Sequence, residues 1–328
     1  MRGFEKRQAH ILTRRKPETL TTHRANHMTR DICDNFFELW KKVLVDNTMK
    51  ENCADRIFNL DETGLNTSSS SRLVYTKKGA RDAYLKAPDA GKTMYSVLFC
   101  GSASGVYLPP MVVYKSKNLY QNWMLDGPKG CVYTCNESGY MMDINFETWF
   151  SKCFVKEVSS LVKPVVLTFD GHGSHLTYQT IKEAKDNDII LVCLPPHTSH
   201  ALQPLDVAVF KGLKDTWQNI LRQFYSDTRQ KNRCDKSEFP KLLAKLCNRL
   251  KPESLVNGFK ESGLYPLDRS KVDHRILKDR SGNIQDQDEQ DLPTPHKALR
   301  AEIIRTLTPT EPTNKRGPRK RVQGMSCK

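Results

Sequence analysis

The sequence predicts an α/β domain whose sheet is covered by helices on both faces. Two observations predict it. The runs Pro164-Val165-Val166-Leu167-Thr168-Phe169 and Ile189-Ile190-Leu191-Val192-Cys193-Leu194 are nearly continuous in apolar residues, without the alternation of a half-wet strand. Runs of this kind belong to strands buried on both sides. They also alternate with segments of helical period at 145–161, 176–186, 204–225 and 238–250, as in a sheet layered between helices.

Residues 1–30 are polar and basic, with three histidines and the stretch Arg14-Arg15-Lys16-Pro17-Glu18. Thr29 is a capping residue type, and Ile32, Phe36, Leu39, Trp40, Val43 and Leu44 then recur at helical spacing. That stripe is too apolar to stay wet, so a linking helix is expected across 31–54. From 57 the period shortens. Strand-like runs at 57–60, 72–76, 94–100 and 106–113 are separated by turn signals such as Lys78-Gly79, Gly101-Ser102 and Ser104-Gly105. The helix at 145–161 carries Phe146, Trp149, Phe150, Phe154 and Leu161 on one side. Beyond about 268 the pattern dissolves. Residues 279–292 hold five acids, and the chain then turns rich in Pro and Thr before Lys315-Arg316-Gly317-Pro318-Arg319-Lys320-Arg321. Residues 271–328 are therefore expected to be a disordered tail, acidic and then basic, with room for a short helix at 296–307. There is no internal repeat.

A chain of 328 residues suits one large domain or two ordinary ones. Its net charge of +15 favours polyanionic partners, nucleic acid first; a solvated basic surface is the plainer reading. No stretch approaches the roughly 18 apolar residues of a membrane-spanning helix, and Met1–Lys16 lacks the apolar centre of a secretory signal, so no membrane partner is expected. The ten cysteines are scattered, and several, such as Cys100 and Cys193, lie inside apolar runs. Free thiols in a reducing compartment are expected.

Three aspartates close or follow the apolar runs. Asp61 follows Ile57-Phe58-Asn59-Leu60, Asp170 follows Phe169, and Asp206 follows the segment that leaves the 189–194 run. The expectation is that Asp61 and Asp170 end neighbouring strands and that Asp206 starts a helix on the same sheet edge. Strand-end aspartates are also ordinary turn and cap formers, and Asp61-Glu62-Thr63-Gly64 reads locally as a turn. Carboxylates at buried strand ends need compensation, however, and Mg²⁺ or Mn²⁺ supplies it through oxygen ligands. Three of them on a basic chain point to two-metal phosphoryl transfer on nucleic acid, with Asp61, Asp170 and Asp206 as metal ligands and catalytic residues.

The segments Asn59-Leu60-Asp61-Glu62-Thr63-Gly64, Phe169-Asp170-Gly171-His172-Gly173-Ser174-His175 and Leu194-Pro195-Pro196-His197-Thr198-Ser199-His200, with Leu202-Gln203-Pro204-Leu205-Asp206, resemble the catalytic core of pogo-like transposases, the family of the Tigger and jerky transposase-derived proteins. Gly258-Phe259-Lys260-Glu261-Ser262-Gly263-Leu264-Tyr265-Pro266-Leu267 resembles the segment that closes that domain. The resemblance covers 55–270. It implies an RNase H-like fold, a DDE endonuclease domain, and an acidic metal-binding triad at Asp61, Asp170 and Asp206. Gly3-Phe4-Glu5-Lys6-Arg7 and Leu12–Glu18, with Arg24-Ala25, resemble the end of the helix-turn-helix domain of centromere protein B. Residues 1–30 would then be a remnant of that module, leaving DNA binding mainly electrostatic.

The patterns at 204–225 and 238–250 carry Lys211, Lys214, Arg222, Lys241, Lys245 and Arg249 with Phe210, Trp217, Phe224 and Tyr225 between them. They read either as solvated faces of amphipathic helices or as a basic flank for the phosphate backbone. Lys315, Arg316, Arg319, Lys320 and Arg321 suit a nuclear localisation signal or a further DNA contact. The pairs His172/His175 and His197/His200 are weak zinc candidates and read better as loop histidines around the carboxylates; Cys131 and Cys135 read as unligated. Two functions fit: a transposase-type endonuclease, or a domesticated, catalytically silent nuclear DNA-binding protein. A nuclease of the same fold acting on RNA is a third. The expected partners are DNA and a second copy of the chain.

Overall fold

The computed structural model describes residues 28–49, 52–68, 94–171, 176–227 and 234–276. The expected strand at 72–76, the remnant module up to residue 27 and the tail beyond 276 lie outside these residues. The first residues of the expected disordered tail, 271–276, are instead ordered: Arg269–Arg275 form a 3-10 helix held by the buried Val272 and by Arg275, which donates to Ala201 O at 2.9 Å.

Six strands form one mixed sheet: β1 (Ile57–Asn66), β2 (Met94–Ser102), β3 (Met111–Lys115), β4 (Val132–Asn136), β5 (Val165–Phe169) and β6 (Ile189–Cys193). Their order is β4-β3-β2-β1-β5-β6. β2 runs antiparallel to both β1 and β3, and β5 and β6 lie parallel to β1 on its other side. This is the expected RNase H-like arrangement, with β4 added parallel to β3 at one edge.

Two strand expectations shift. The strand expected at 106–113 begins only at Met111, with an isolated bridge from Tyr107 to Gly101 before it. Pro109 and Pro110 explain the delay, because proline has no N–H for the ladder. The strand holding Asp61 does not end there. It runs to Asn66, paired with β2 from Phe58 to Asn66, so Asp61-Glu62-Thr63-Gly64 is strand and not turn. Cross-strand pairing overrides the local turn signal, and Gly64 suits the close neighbour: a Cβ there would lie 2.3 Å from Met94 Sδ.

The helices are α1 (Arg30–Asp46), α2 (Asp143–Trp149), α3 (Tyr178–Asp186), α4 (Ser199–Leu202), α5 (Phe210–Asp227), α6 (Phe239–Cys247) and α7 (Pro252–Glu261). Thr29 caps α1 as expected, its hydroxyl accepting the Ile32 N–H at 3.4 Å. The buried stripe of α1 is Cys33, Phe36, Phe37, Trp40 and Leu44; Leu39, expected in it, faces solvent. The buried Trp40 indole N–H donates to Leu264 O at 2.9 Å, fastening α1 to the chain after α7. After α2 comes a π-helical turn, Phe150–Phe154, and a last helical turn, Val155–Glu157.

Strand parity sorts the core into two layers. Phe58, Leu60, Leu98, Cys100, Val165, Leu167 and Phe169 pack with Phe146, Trp149, Phe150 and Phe154. On the other face Ile57, Leu65, Val97, Phe99 and Val166 pack with α1, α5, α6 and α7. Burial at two faces explains why β5 has no alternation.

Candidate active site

The parallel register of β1 and β5 sets Asn59 opposite Thr168. Counting two residues onward from each brings Asp61 level with Asp170, on strands whose neighbours lie about 4.8 Å apart. The same parity places both on the face that carries Ile57 and Val166. The pairing stops at Asn59 and Thr168, and Asp170 leaves the carboxyl end of β5 just where β1 continues alone on that side.

Asp206 approaches the same face from the helical layer. It lies in a π-helical turn, Leu205–Val209, at the head of α5. Such turns recur at functional sites, where they re-aim a side chain. α5 is fastened along β1: the Trp217 indole N–H donates to Asn66 O at 2.7 Å and the Tyr225 hydroxyl to Thr67 O at 2.6 Å. From outside, α7 presses on the turn so closely that a Cβ on Gly258 would lie 2.4 Å from Pro204 O. Only glycine fits that approach, which gives the Gly258-Phe259 segment a physical role in seating Asp206.

The electrostatics register this convergence. Burial, then Asp206, then Asp170 push the Asp61 carboxyl well above the usual carboxylate range; the Glu62 N–H, donating to Asp61 Oδ1 at 2.8 Å, pulls the other way. The structure thus brings the three sequence-predicted acids together. It adds a fourth. Glu62 is pushed up to about 7, by burial first and Asp170 second. The sequence hides Glu62 because Asp61-Glu62-Thr63-Gly64 reads as a turn; in the strand it forms, Glu62 follows Asp61 and points to the opposite face.

These residues suit a hard divalent cation. Crowded carboxylates that resist ionisation are relieved by a positive ion, and carboxylate oxygens are its preferred donors. Beside them, Gln203 Oε1 and Thr63 Oγ1 are buried acceptors without a hydrogen-bond partner among the described residues. Among the described residues, though, no group of three or more His, Cys, Asp or Glu side chains is already set as a metal cage.

Lys211 and Lys214 are exposed on α5, with Lys214 Nζ 5.9 Å from the centre of the Phe210 ring. Arg222 is partly buried and donates to Asn219 Oδ1. Lys241, Lys245 and Arg249 are exposed on and after α6. The aromatics between them are not free to stack on bases: Phe210 and Trp217 are core residues, and Phe224 and Tyr225 pack against that core. Their helical period reflects packing against the core. His197 is exposed with φ 63°, and the ring nitrogens of His200 are buried. Cys131 and Cys135 are free thiols. His172, His175, Lys315, Arg316, Arg319, Lys320 and Arg321 lie outside the described residues.

Residues 92–259 match the family model of the DDE superfamily endonucleases. That span includes Asp170 and Asp206 and begins after Asp61. The chain is 26% identical over 248 residues to a Cochliobolus lunatus protein named MFS-type transporter clz9, covering 73% of this chain and 27% of that protein. It is 21% identical over 243 residues to the human pogo transposable element with KRAB domain, covering 72% of this chain and 39% of that one. The chain thus spans well under half the length of these curated relatives. Among the described residues no helix is long and apolar enough to cross a membrane. Among solved structures, the Mos1 strand transfer complex aligns over 78% of this chain and 69% of its own, with 11% identity and a TM-score of 0.43.

Proposed function

The chain belongs to the DDE superfamily endonucleases, of the pogo-like transposase-derived kind, and on that premise we propose that it binds DNA and cleaves and joins strands by two-metal phosphoryl transfer. One observation carries the reading: Asp206, at a helix head, and Asp170, just past the end of β5, both act electrostatically on the buried Asp61 of β1. Asp61 and Asp170 would hold the ions from the strands, and Asp206 from the helical layer on the leaving-group side. When bound, Mg²⁺ or Mn²⁺ supplies Lewis acidity at the phosphate and an activated water or hydroxyl. The protein's own work is positioning and charge compensation.

Lys211 and Lys214 follow Asp206 along the same helix and are exposed, so a phosphodiester backbone presented to Asp206 runs toward them. Contacts of this kind are read by salt: affinity falls steeply as ionic strength rises and varies little with sequence. Tight binding to one short site that survives high salt would contradict the electrostatic mode. The basic cluster at 315–321 is assigned nuclear import, which a reporter fusion with and without the cluster tests.

The competing reading, a silent nuclear DNA-binding protein, draws on the lack of a ready-made metal cage among the described residues. Plasmid nicking by the purified protein with Mg²⁺ or Mn²⁺ separates the two. Metal-dependent nicking that disappears in Asp170→Asn supports the enzyme; DNA binding with no nicking and no thermal response to metal supports the silent protein.

A further inference from the structure

We propose that Asn59, Thr168 and Gln203 form a positioning frame that holds the three carboxylates in mutual register; this rests on the endonuclease reading above. Each precedes a carboxylate by a short, fixed step. Asn59 lies two residues before Asp61, Thr168 two before Asp170, and Gln203 three before Asp206. All three are fully buried. Asn59 Nδ2 donates to Thr168 O at 3.1 Å and to Thr168 Oγ1 at 3.2 Å, and the Thr168 hydroxyl donates onward to Phe58 O at 2.9 Å. Asn59 Oδ1 accepts the N–H of Leu205, the residue before Asp206, at 3.2 Å. Gln203 Nε2 donates to Leu60 O, the residue before Asp61, at 3.1 Å. Every carboxylate-bearing segment is therefore tied to another by a side chain.

The backbone ladder joins β1 to β5 at Asn59 and Thr168 but does not reach the segment that carries Asp206. The β1–β5 pairing ends at Asn59 and Thr168, short of both aspartates, and Leu205 belongs to no strand. The core does not call for polar groups here either. Ile57, Val97, Phe99 and Val166 surround this face, and a buried amide among them costs free energy unless it is hydrogen-bonded. Apolar residues of similar shape would pack comparably. What hydrogen bonds add is direction: buried polar links specify one arrangement of the groups they join, and Gln203 Oε1, left over beside the carboxylates, is the acceptor that a bound cation would satisfy. At a site that must hold its ligands to within about 0.5 Å, that is the property required. Outer groups that orient metal ligands are worth about 10–100-fold in metal affinity or activity.

The test uses the full chain and Mn²⁺ alone, read by metal-induced thermal shift, beside nicking kinetics. Asn59→Leu and Gln203→Met keep approximate size and remove the links. Thr168→Val removes the hydroxyl, and Thr168→Ser restores it. The expected result is a rise of about 10–100-fold in the Mn²⁺ concentration giving the half-maximal shift, for variants that still melt cooperatively. kcat should fall with KM for DNA nearly unchanged, and Thr168→Ser should return both readouts to near wild type. If Asn59→Leu fails to fold, Gln203→Met and the Thr168 pair decide. Folded variants that lose thermal stability but keep the wild-type Mn²⁺ midpoint and kcat overturn the frame and leave the endonuclease reading standing. A wild type with no Mn²⁺ shift and no nicking overturns both.

Discussion

The two faces of the sheet are built differently from the same two strands. Toward α2 and α3, β1 presents Phe58 and Leu60 and β5 presents Val165, Leu167 and Phe169, apolar throughout until Glu62. Toward α5 and α7 they present Ile57, Asn59, Asp61 and Thr63, and Val166, Thr168 and Asp170, with polar residues entering after the first position of each strand. The first face obeys the rules of packing alone. The second gives up apolar contact where the carboxylates meet and replaces it with directed hydrogen bonds. On the proposed function the three aspartates share one face, with Glu62 alone reaching them from the other, and substitutions deep in the two faces should separate stability from metal binding.

The largest separation is expected at Asp170. Asp170→Asn keeps size and shape and removes one charge from a crowded group. Nicking should fall to background and the Mg²⁺- or Mn²⁺-induced rise in melting temperature should vanish, since a ligand stabilises only through the native state it binds. The metal-free protein should melt at the wild-type temperature or above it, because repulsion has been relieved. A large drop in metal-free stability would make Asp170 a structural residue and break the comparison.

The opposite face should show the reverse. Trp149 is fully buried, with ring contacts to Phe146 and Phe154. Trp149→Ala should cost about 3–5 kcal/mol of stability, by chemical denaturation. At a temperature where the variant remains folded, its Mn²⁺ midpoint should match wild type. A shifted midpoint would show that the faces are mechanically coupled.

Legibility in the sequence follows the same division. The sheet and its two helical layers could be read because β5 and β6 are continuously apolar, a local and unambiguous pattern. β4 went unseen because an edge strand half-buried along its length shows little alternation. α7 is hard to read as a helix because Gly258 lies within it and few of its residues are apolar, although Pro252 is an ordinary first helical residue. The three acids could be picked out because each adjoins an apolar run. That Asp61 sits mid-strand was hidden by pairing with β2, and the π-helical turn around Asp206 has no sequence signature. The links from Asn59 and Gln203 join residues more than a hundred positions apart, so no local window contains them.

Two glycines sharpen the comparison further. Gly258→Ala puts a methyl group against Pro204 O, and should cost about 1–3 kcal/mol with a loss of nicking beyond what the remaining folded fraction explains. Gly212, in α5, is exposed, and a Cβ added there would meet nothing within 4 Å. Gly212→Ala should instead stabilise by about 0.4–1 kcal/mol and leave nicking intact. Equal activities for the two variants would remove the seating role of Gly258.

The smallest effect is expected from pH. In the metal-free protein Glu62 is held up to about 7, against 4.5 for an ordinary glutamate, and Asp61 is raised in the same direction. The folded state therefore binds more protons than the unfolded state between those limits. The stability this contributes is fully present below about 4.5 and is lost as pH rises through about 7. Metal-free melting temperature should thus decline by a few degrees or less across that window, after correction with Glu62→Gln, whose profile should be flatter. Added Mn²⁺ should reverse the trend, because the ion competes with protons for the same oxygens and its stabilisation grows with pH. An unchanged slope in Glu62→Gln would move the titration to Asp61 alone, and an unchanged slope on adding Mn²⁺ would mean that the cation does not reach this edge of the sheet.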